Sequence, residues 1–280
     1  MKKNQPRQQP RSKKISTRGI VQFSVLVLTV LIGLRHILPA AEPRGGSFDT
    51  FCPFGGVETL CSYLTVGTTL KTTGLLNFAI LMGVLGMSLL SGRSFCGWIC
   101  PLGTAQDYLI NLQRRMNPSP GRKKQIHTPG SSRPGISPAL DWKLRSLKYF
   151  VFGVILLTSI WSVFPPLREI CPARALFSFQ IQTLLLGAVL LLFTISSFLM
   201  ERFSCRFLCP FGALLAPFNK SAPLRLTLNQ NKCPGCGRCE EDCPMDIQDI
   251  PENLRSGECI QCLGCLERCA SRDTLELRLG

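Results

Sequence analysis

Cys233-Pro-Gly-Cys236-Gly-Arg-Cys239-Glu-Glu-Asp-Cys243-Pro244 spaces its cysteines by two, two and three residues and ends on proline. A second run, Cys259, Cys262, Cys265 and Cys269, repeats the spacing with Ala270 in the proline position. Three thiolates this close together wrap one face of a compact inorganic core, and the chain carries the fourth away to the other core. The spacing therefore predicts one [4Fe–4S] cluster on Cys233, Cys236, Cys239 and Cys269. It predicts a second on Cys259, Cys262, Cys265 and Cys243. Structural zinc uses two separated cysteine pairs and needs neither the third close thiolate nor the crossed fourth. Leu224-Arg-Leu-Thr-Leu228 and Leu275-Glu-Leu-Arg-Leu279 flank the runs and alternate apolar with polar. They predict two short strands whose pairing closes a small α+β dicluster ferredoxin domain over residues 221–280. Gly235, Gly237 and Gly264 are expected to let the backbone approach inorganic sulfide.

The rest of the chain reads differently. Four apolar stretches, Gly19–Leu38, Gly74–Leu90, Leu147–Phe164 and Ile181–Met200, each approach the ~20 residues a helix needs to cross ~30 Å of hydrocarbon. The first is too long for the ~7–15 apolar residues of a cleaved signal peptide. The expected fold is mainly α: a four-helix transmembrane bundle over residues 19–220, preceded by a basic tail at 1–18 and followed by the ferredoxin domain.

Charge supplies the orientation. The chain carries +15. Residues 229–280 hold six Lys/Arg against ten Asp/Glu, so the remaining 228 residues carry +19. A membrane protein with basic loops fits this better than a nucleic-acid binder. The middle loop, Gly92 to Ser146, holds nine Lys/Arg, whereas Pro39–Thr73 has only Arg44 and Lys71, and Phe164–Gln180 only Arg168 and Arg174. Lys and Arg stay on the cytoplasmic side, so the reading is an inner-membrane protein with both termini and the middle loop cytoplasmic.

The bundle repeats itself. Cys52-Pro53-Phe54-Gly55 corresponds to Cys171-Pro172-Ala173-Arg174 in a short outer loop. Cys96-Gly-Trp-Ile-Cys100-Pro101-Leu102-Gly103 corresponds to Cys205-Arg-Phe-Leu-Cys209-Pro210-Phe211-Gly212 after the next helix. An even number of spans per half makes the repeats parallel, related by an axis along the membrane normal. That axis would bring the two Cys-x3-Cys-Pro segments together at the cytoplasmic face. Cysteines four apart on a helix share a face, and Pro101 and Pro210 suit the first turn of a following helix. Cys96, Cys100, Cys205 and Cys209 could ligate a third metal centre, act as redox-active thiols, or simply pack.

Taken together, the spans, the two Cys-x3-Cys-Pro motifs and the C-terminal cysteine runs resemble the NapH/MauN family of ferredoxin-type membrane proteins over residues 19–280. The resemblance implies quinol oxidation in the membrane, with electrons passed through iron–sulfur centres to a partner oxidoreductase. The expected cofactors are two [4Fe–4S] clusters and the further centre, the substrate is quinone or quinol, and the partners are lipid and a redox protein or complex, with no nucleic acid. Cys61, nine residues after Cys52, is a departure that the resemblance does not explain.

Other residues carry weaker signals. Cys52, Cys61 and Cys171 lie on the predicted outer side, where a disulfide is allowed, with Cys52–Cys171 favoured by symmetry and Cys52–Cys61 by proximity. The two histidines, His36 and His127, do not suit a bis-histidine haem. His36, Glu42, Asp49, Glu58, Glu169, Asp107 and Glu201 could accept quinol protons, although each reads more simply as a solvated interface residue. Trp98, Trp142 and Trp161 read as an aromatic belt. The alternative function is a redox maturation factor that reduces a metal or disulfide of a client enzyme. A structural anchor for a ferredoxin partner is a third.

Overall fold

Proline sets much of the architecture. The computed structural model describes residues 17–35, 52–66, 75–116, 138–161, 171–177, 184–233, 235–241, 243–247, 250, 254–269 and 274–279. Five of its helices begin on proline: α2 (Pro53–Val66), α5 (Pro101–Met116), α6 (Pro138–Trp161), α7 (Pro172–Phe177) and α9 (Pro210–Ser221). The first helical position has no N–H to lose, and the ring presets φ. The remaining helices are α1 (Thr17–Arg35), α3 (Leu75–Ser91), α4 (Ser94–Trp98), α8 (Leu184–Leu199), α10 (Arg238–Glu241) and α11 (Gly264–Arg268). The protein is mostly helical.

Helices α1, α3, α6 and α8 coincide with the four apolar stretches. Among the described residues, one helix, Thr17–Leu34, is both long and apolar enough to cross a membrane. Leu76–Ser91 and Leu184–Leu199 are apolar but shorter. Helix α6 is longer and carries charged residues, from Asp141 to Lys148, in its first three turns. Residues 36–38, 162–164 and 181–183, which the sequence assigned to the spans, lie outside the described residues.

The contacts follow a two-fold exchange between halves. Helix α1 packs on α5 as α6 packs on α9, and α2 packs on α3 as α7 packs on α8. Across the halves, α3 packs on α9 as α8 packs on α5, and α2 packs on α6 as α7 packs on α1. Cys52 and Cys171 occupy matching places, each offering its carbonyl to a backbone N–H in the first turn of the helix that follows.

The two expected strands form and pair. β1 (Leu224–Leu228) runs antiparallel to β2 (Leu275–Leu279), with Leu224 opposite Leu279 and Leu226 opposite Leu277. One hydrophobic cluster joins the bundle to this C-terminal segment: Phe54, Leu81, Phe211 and Leu215 pack with Met245, Ile247, Ile250 and Ile260. Phe211 meets Phe95 and Phe54 edge-on, with centroids 5.8 and 6.5 Å away. Gly235 and Gly237 have φ of +63° and +67°. A Cβ at Gly235 would meet no atom within 4 Å. Glycine reaches this left-handed region without strain, which lets the chain reverse between the cysteines.

Candidate iron–sulfur sites

Both Cys-x3-Cys-Pro motifs fold alike, and not as continuous helices. Proline inside a helix removes a backbone hydrogen bond and clashes with the preceding turn, and here each helix ends in a widened turn before it. The Cys100 amide donates to the Phe95 carbonyl (2.9 Å) and the Cys209 amide to the Ser204 carbonyl (2.8 Å). Ser204–Leu208 is a π turn. Cys209 is extended, at φ −69° and ψ 112°, and caps α9. The expectation that each cysteine pair shares one helical face is therefore corrected. The first cysteine lies inside a short helical segment, Cys96 in Ser94–Trp98 and Cys205 in Ser204–Leu208, and the second precedes the proline that opens the next helix.

The four cysteines lie close enough for their charges to interact. Cys96 acts on Cys100 and Cys209, and Cys100 acts on Cys205. Burial pushes the Cys100 thiol up to about 12, and Cys205 and Cys209 are raised as well, again by burial first. A metal bound by these thiols would displace their protons.

The surroundings suit an anionic centre. The Gly103 amide points at Cys100, and the Phe211 and Gly212 amides point at Cys209. Arg93 and Arg202, each 1% exposed, precede their motifs by three residues and cross to the other half. Arg202 donates to the Cys96 carbonyl (2.7 Å) and makes two bonds to Asp107 (2.8 and 2.7 Å). A Cβ on Gly103 would stand 3.3 Å from its Nη1. Arg93 Nη2 lies 2.7 Å from where a Cβ of Gly212 would stand. The Cys205 Sγ reaches Gln106 Oε1 at 3.5 Å. Gln106 Nε2 and Arg93 Nε are buried donors without a partner among the described residues. Four thiols, two buried cations and two unmet donors fit a [4Fe–4S] cluster, whose sulfurs accept hydrogen bonds.

In the C-terminal segment, Cys243, Cys259, Cys262 and Cys265 line one apolar pocket together with Cys239, Met245, Ile247 and Ile260. Four of these five are the predicted ligands of one cluster. Burial raises Cys259 to about 12 and Cys239 to about 11, and raises Cys265 further. Of the other predicted set, Cys233 follows a 3-10 turn, Cys236 is exposed beside α10 and Cys269 ends α11. Among the described residues, no three His, Cys, Asp or Glu close on a single metal ion. A cubane bound at its corners needs thiolates further apart than a lone ion, with its metal–sulfur bonds of about 2.3 Å.

The first motif touches the second cysteine run directly. A Cβ on Gly97 would overlap the Ile260 carbonyl and stand 3.5 Å from Cys262. Trp98 Nε1 donates to the Gln261 carbonyl (3.0 Å), so Trp98 marks an internal interface rather than a lipid belt. Trp142 is 72% exposed, and the Trp161 side chain lies outside the described residues. Asp107 and Glu201 are not free acceptors. Asp107 pairs with Arg18 and Arg202, and Glu201 with Arg114. His36, Glu42, Asp49, Glu169 and the Glu58 and Cys61 side chains fall outside the described residues.

The buried ions carry no motif in the sequence. Arg93 counts among the loop charges, and Arg202, Lys148 and Glu258 stand out in no pattern. Their only signal was position: Arg93 and Arg202 stand at the same offset from the two motifs.

Comparison with known proteins agrees with the repeat. Residues 73–119 and 182–227 each match the family described as 4Fe-4S binding domain, and residues 225–270 match the 4Fe-4S dicluster domain. The protein MJ0750 of Methanocaldococcus jannaschii is 30% identical over 219 residues, 78% of this chain and 82% of that one. The putative electron transport protein YccM of Escherichia coli is 26% identical over 84% of this chain, and the ferredoxin-type protein NapH of Haemophilus influenzae is 27% identical over 68%. The aligned part spans 65% of YccM and 63% of NapH. No solved structure matches the chain. Fold and cysteine sets together define a ferredoxin-type iron–sulfur protein of electron transport. Within that class the chain belongs to the NapH/MauN family.

Proposed function

We propose that the chain is the membrane subunit of a quinol dehydrogenase, exchanging electrons between the quinone pool and a partner oxidoreductase. On this reading it holds three [4Fe–4S] clusters: one on Cys96, Cys100, Cys205 and Cys209, one on Cys259, Cys262, Cys265 and Cys243, and one on Cys233, Cys236, Cys239 and Cys269. Such clusters supply one-electron transfer, which divides the two-electron chemistry of a quinol.

The observation that carries the reading is the contact of Gly97 and the Trp98 indole with the backbone of Ile260 and Gln261. It sets the bundle's cysteines against the ferredoxin cysteines with no intervening layer. Cys236 stands exposed in the other ferredoxin set, on the side open to a partner.

Membrane placement is supported by an inverted distribution of polarity. Helix α8 exposes Leu184, Leu191, Leu192 and Leu199 while burying Ser196 and Ser197; α3 exposes Leu76, Met82, Leu89 and Leu90 while burying Asn77 and Ser88. A water-facing helix does the reverse, and apolar faces of this size are otherwise rare on soluble monomers. We place four spans in the cytoplasmic membrane, with both termini and the ferredoxin segment inside.

The test is anaerobic purification from membranes, with iron and sulfide quantified and EPR recorded before and after addition of a quinol. Three clusters give about 12 iron atoms per chain, four per cluster. Cys205→Ser should remove about four of them. Iron at about eight with no loss in that variant rejects the bundle centre. Cluster reduction that ignores quinol rejects the dehydrogenase.

A further inference from the structure

Arg93 and Arg202 are buried more deeply than ion pairing alone explains. Two carboxylates serve four cations: Asp107 receives Arg18 and Arg202, while Glu258 receives Arg93 and Lys148. Positive charge is thus left in excess inside the protein, where it is costly unless an anion offsets it. Around Arg93 and Arg202 stand the four bundle cysteines. Cys96, Cys205 and Cys209 act electrostatically on Arg93, and Cys205 acts on Arg202. A [4Fe–4S] cluster on four thiolates carries roughly −2 when oxidised and −3 when reduced. Buried cations stabilise the more negative state more strongly.

We infer that Arg93 and Arg202 are exchanged positioning residues for the bundle centre, each clamping the other half's Cys-Pro-x-Gly segment and together raising that centre's reduction potential. The inference rests on the reading of Cys96, Cys100, Cys205 and Cys209 as cluster ligands. The exchange is visible in the glycines. Gly103 in the first half makes room for Arg202 and Gly212 in the second makes room for Arg93, so the two halves are tied by the same charges that face the cluster. Because Arg202 also acts on Cys262, the neighbouring ferredoxin cluster should feel it more weakly.

EPR-monitored redox potentiometry of the full-length, anaerobically purified protein tests this. Arg93→Gln and Arg202→Gln should each disfavour reduction of the bundle centre about tenfold, which is about 59 mV for one electron, with iron content retained. Arg93→Lys and Arg202→Lys should recover part of the shift. Asp107→Asn should move the same signal the other way, because it removes the anion beside Arg202. If the arginine variants fail to fold, Asp107→Asn decides. An unchanged or lowered potential in Asp107→Asn, or iron-loaded glutamine variants with unchanged potentials, overturns the inference while leaving the bundle centre intact. A wild type with about eight irons, and no loss in Cys205→Ser, sinks both.

Discussion

The two halves of the bundle share a plan and differ where the ferredoxin segment meets them. Gly97 in the first motif corresponds to Arg206 in the second, and Asp107 on α5 corresponds to Ala216 on α9. Arg202 finds its carboxylate on the bundle, at Asp107. Arg93, its counterpart, has no such residue, because Ala216 stands there and packs against Gly257. The C-terminal segment supplies the missing partners instead: the Gly257 carbonyl accepts from Arg93 at 2.6 Å and Glu258 completes the pair. The second half is therefore electrostatically incomplete until the ferredoxin segment docks. Its Arg206 reaches out to Asp246 and Asp141, and Arg145 donates to the Met245 and Asp246 carbonyls. A symmetric host binds an asymmetric guest by giving up one acid and gaining one arginine.

Removing Glu258 should do the greatest damage. Glu258→Gln leaves Arg93 and Lys148 buried without a carboxylate, and breaking a buried pair from one side costs about 3–5 kcal/mol. Thermal unfolding in detergent measures the loss. Glu201→Gln, which breaks the Arg114 pair at the half-exposed end of α5, should cost about 1 kcal/mol or less. Equal losses in the two variants would contradict the assignment of Glu258 as the shared anchor.

Acid should act on the same two anchors. Burial alone would raise the carboxyls of Asp107 and Glu258, but Arg202 and Arg18 outweigh it at Asp107, and Arg93 and Lys148 outweigh it at Glu258, so both lie below the usual range. A carboxyl lowered by folding stabilises the fold above its unfolded value, about 3.9 for Asp and 4.3 for Glu. That stabilisation disappears as pH falls through the lower folded value. Stability should thus be level near neutrality and decline below about pH 4. The Glu258→Gln variant should decline less steeply. A wild-type profile flat to pH 2 would contradict both pairings.

Gly97→Ala comes next. Its methyl group meets the Ile260 carbonyl, backbone against backbone, so neither partner can rotate away. Overpacking of this kind costs about 1–3 kcal/mol. Limited proteolysis should release the C-terminal segment more readily. The reciprocal change, Arg206→Gly, should loosen the Asp246 side and leave the Gly97 contact undisturbed.

These asymmetries explain what the sequence could and could not reveal. Strands β1 and β2 were legible because alternation over five residues has one folded meaning once the pair is in register. The cysteine runs were legible because cluster ligation fixes spacing locally. The helix starts at Pro101 and Pro210 were legible from proline's missing donor, whereas α2 at Pro53 and α7 at Pro172 are helices where short outer loops were expected, and α6 begins at Pro138, nine residues before the apolar stretch that announces it. Arg93 and Arg202 were not legible. An arginine between two apolar helices looks like a topology marker, and only the crossing of the halves shows it turned inward. Glu258 was hidden for the same reason: its partners lie 165 and 110 residues away. Trp98 misled because membrane-edge composition and an internal interface both favour an amphipathic ring.

Trp98 also gives the finest test of the comparison. Its counterpart in the second half is Phe207, which is buried and has no donor to offer. Trp98→Phe makes the first motif resemble the second and deletes one hydrogen bond, to the Gln261 carbonyl. A neutral hydrogen bond of this kind is worth about 0.5–1.5 kcal/mol, so the variant should remain folded and iron-loaded with a small drop in unfolding temperature. Gln261 is held from its other side by its own amide, which donates to the Leu224 carbonyl at 3.1 Å, so the loop should not move far. Hydrogen exchange should therefore quicken around Gln261 and Cys262 and remain unchanged at Asp246. Faster exchange at both places would mean that the two halves hold the ferredoxin segment as one cooperative surface, and the division of labour between Gly97 and Arg206 would have to be abandoned.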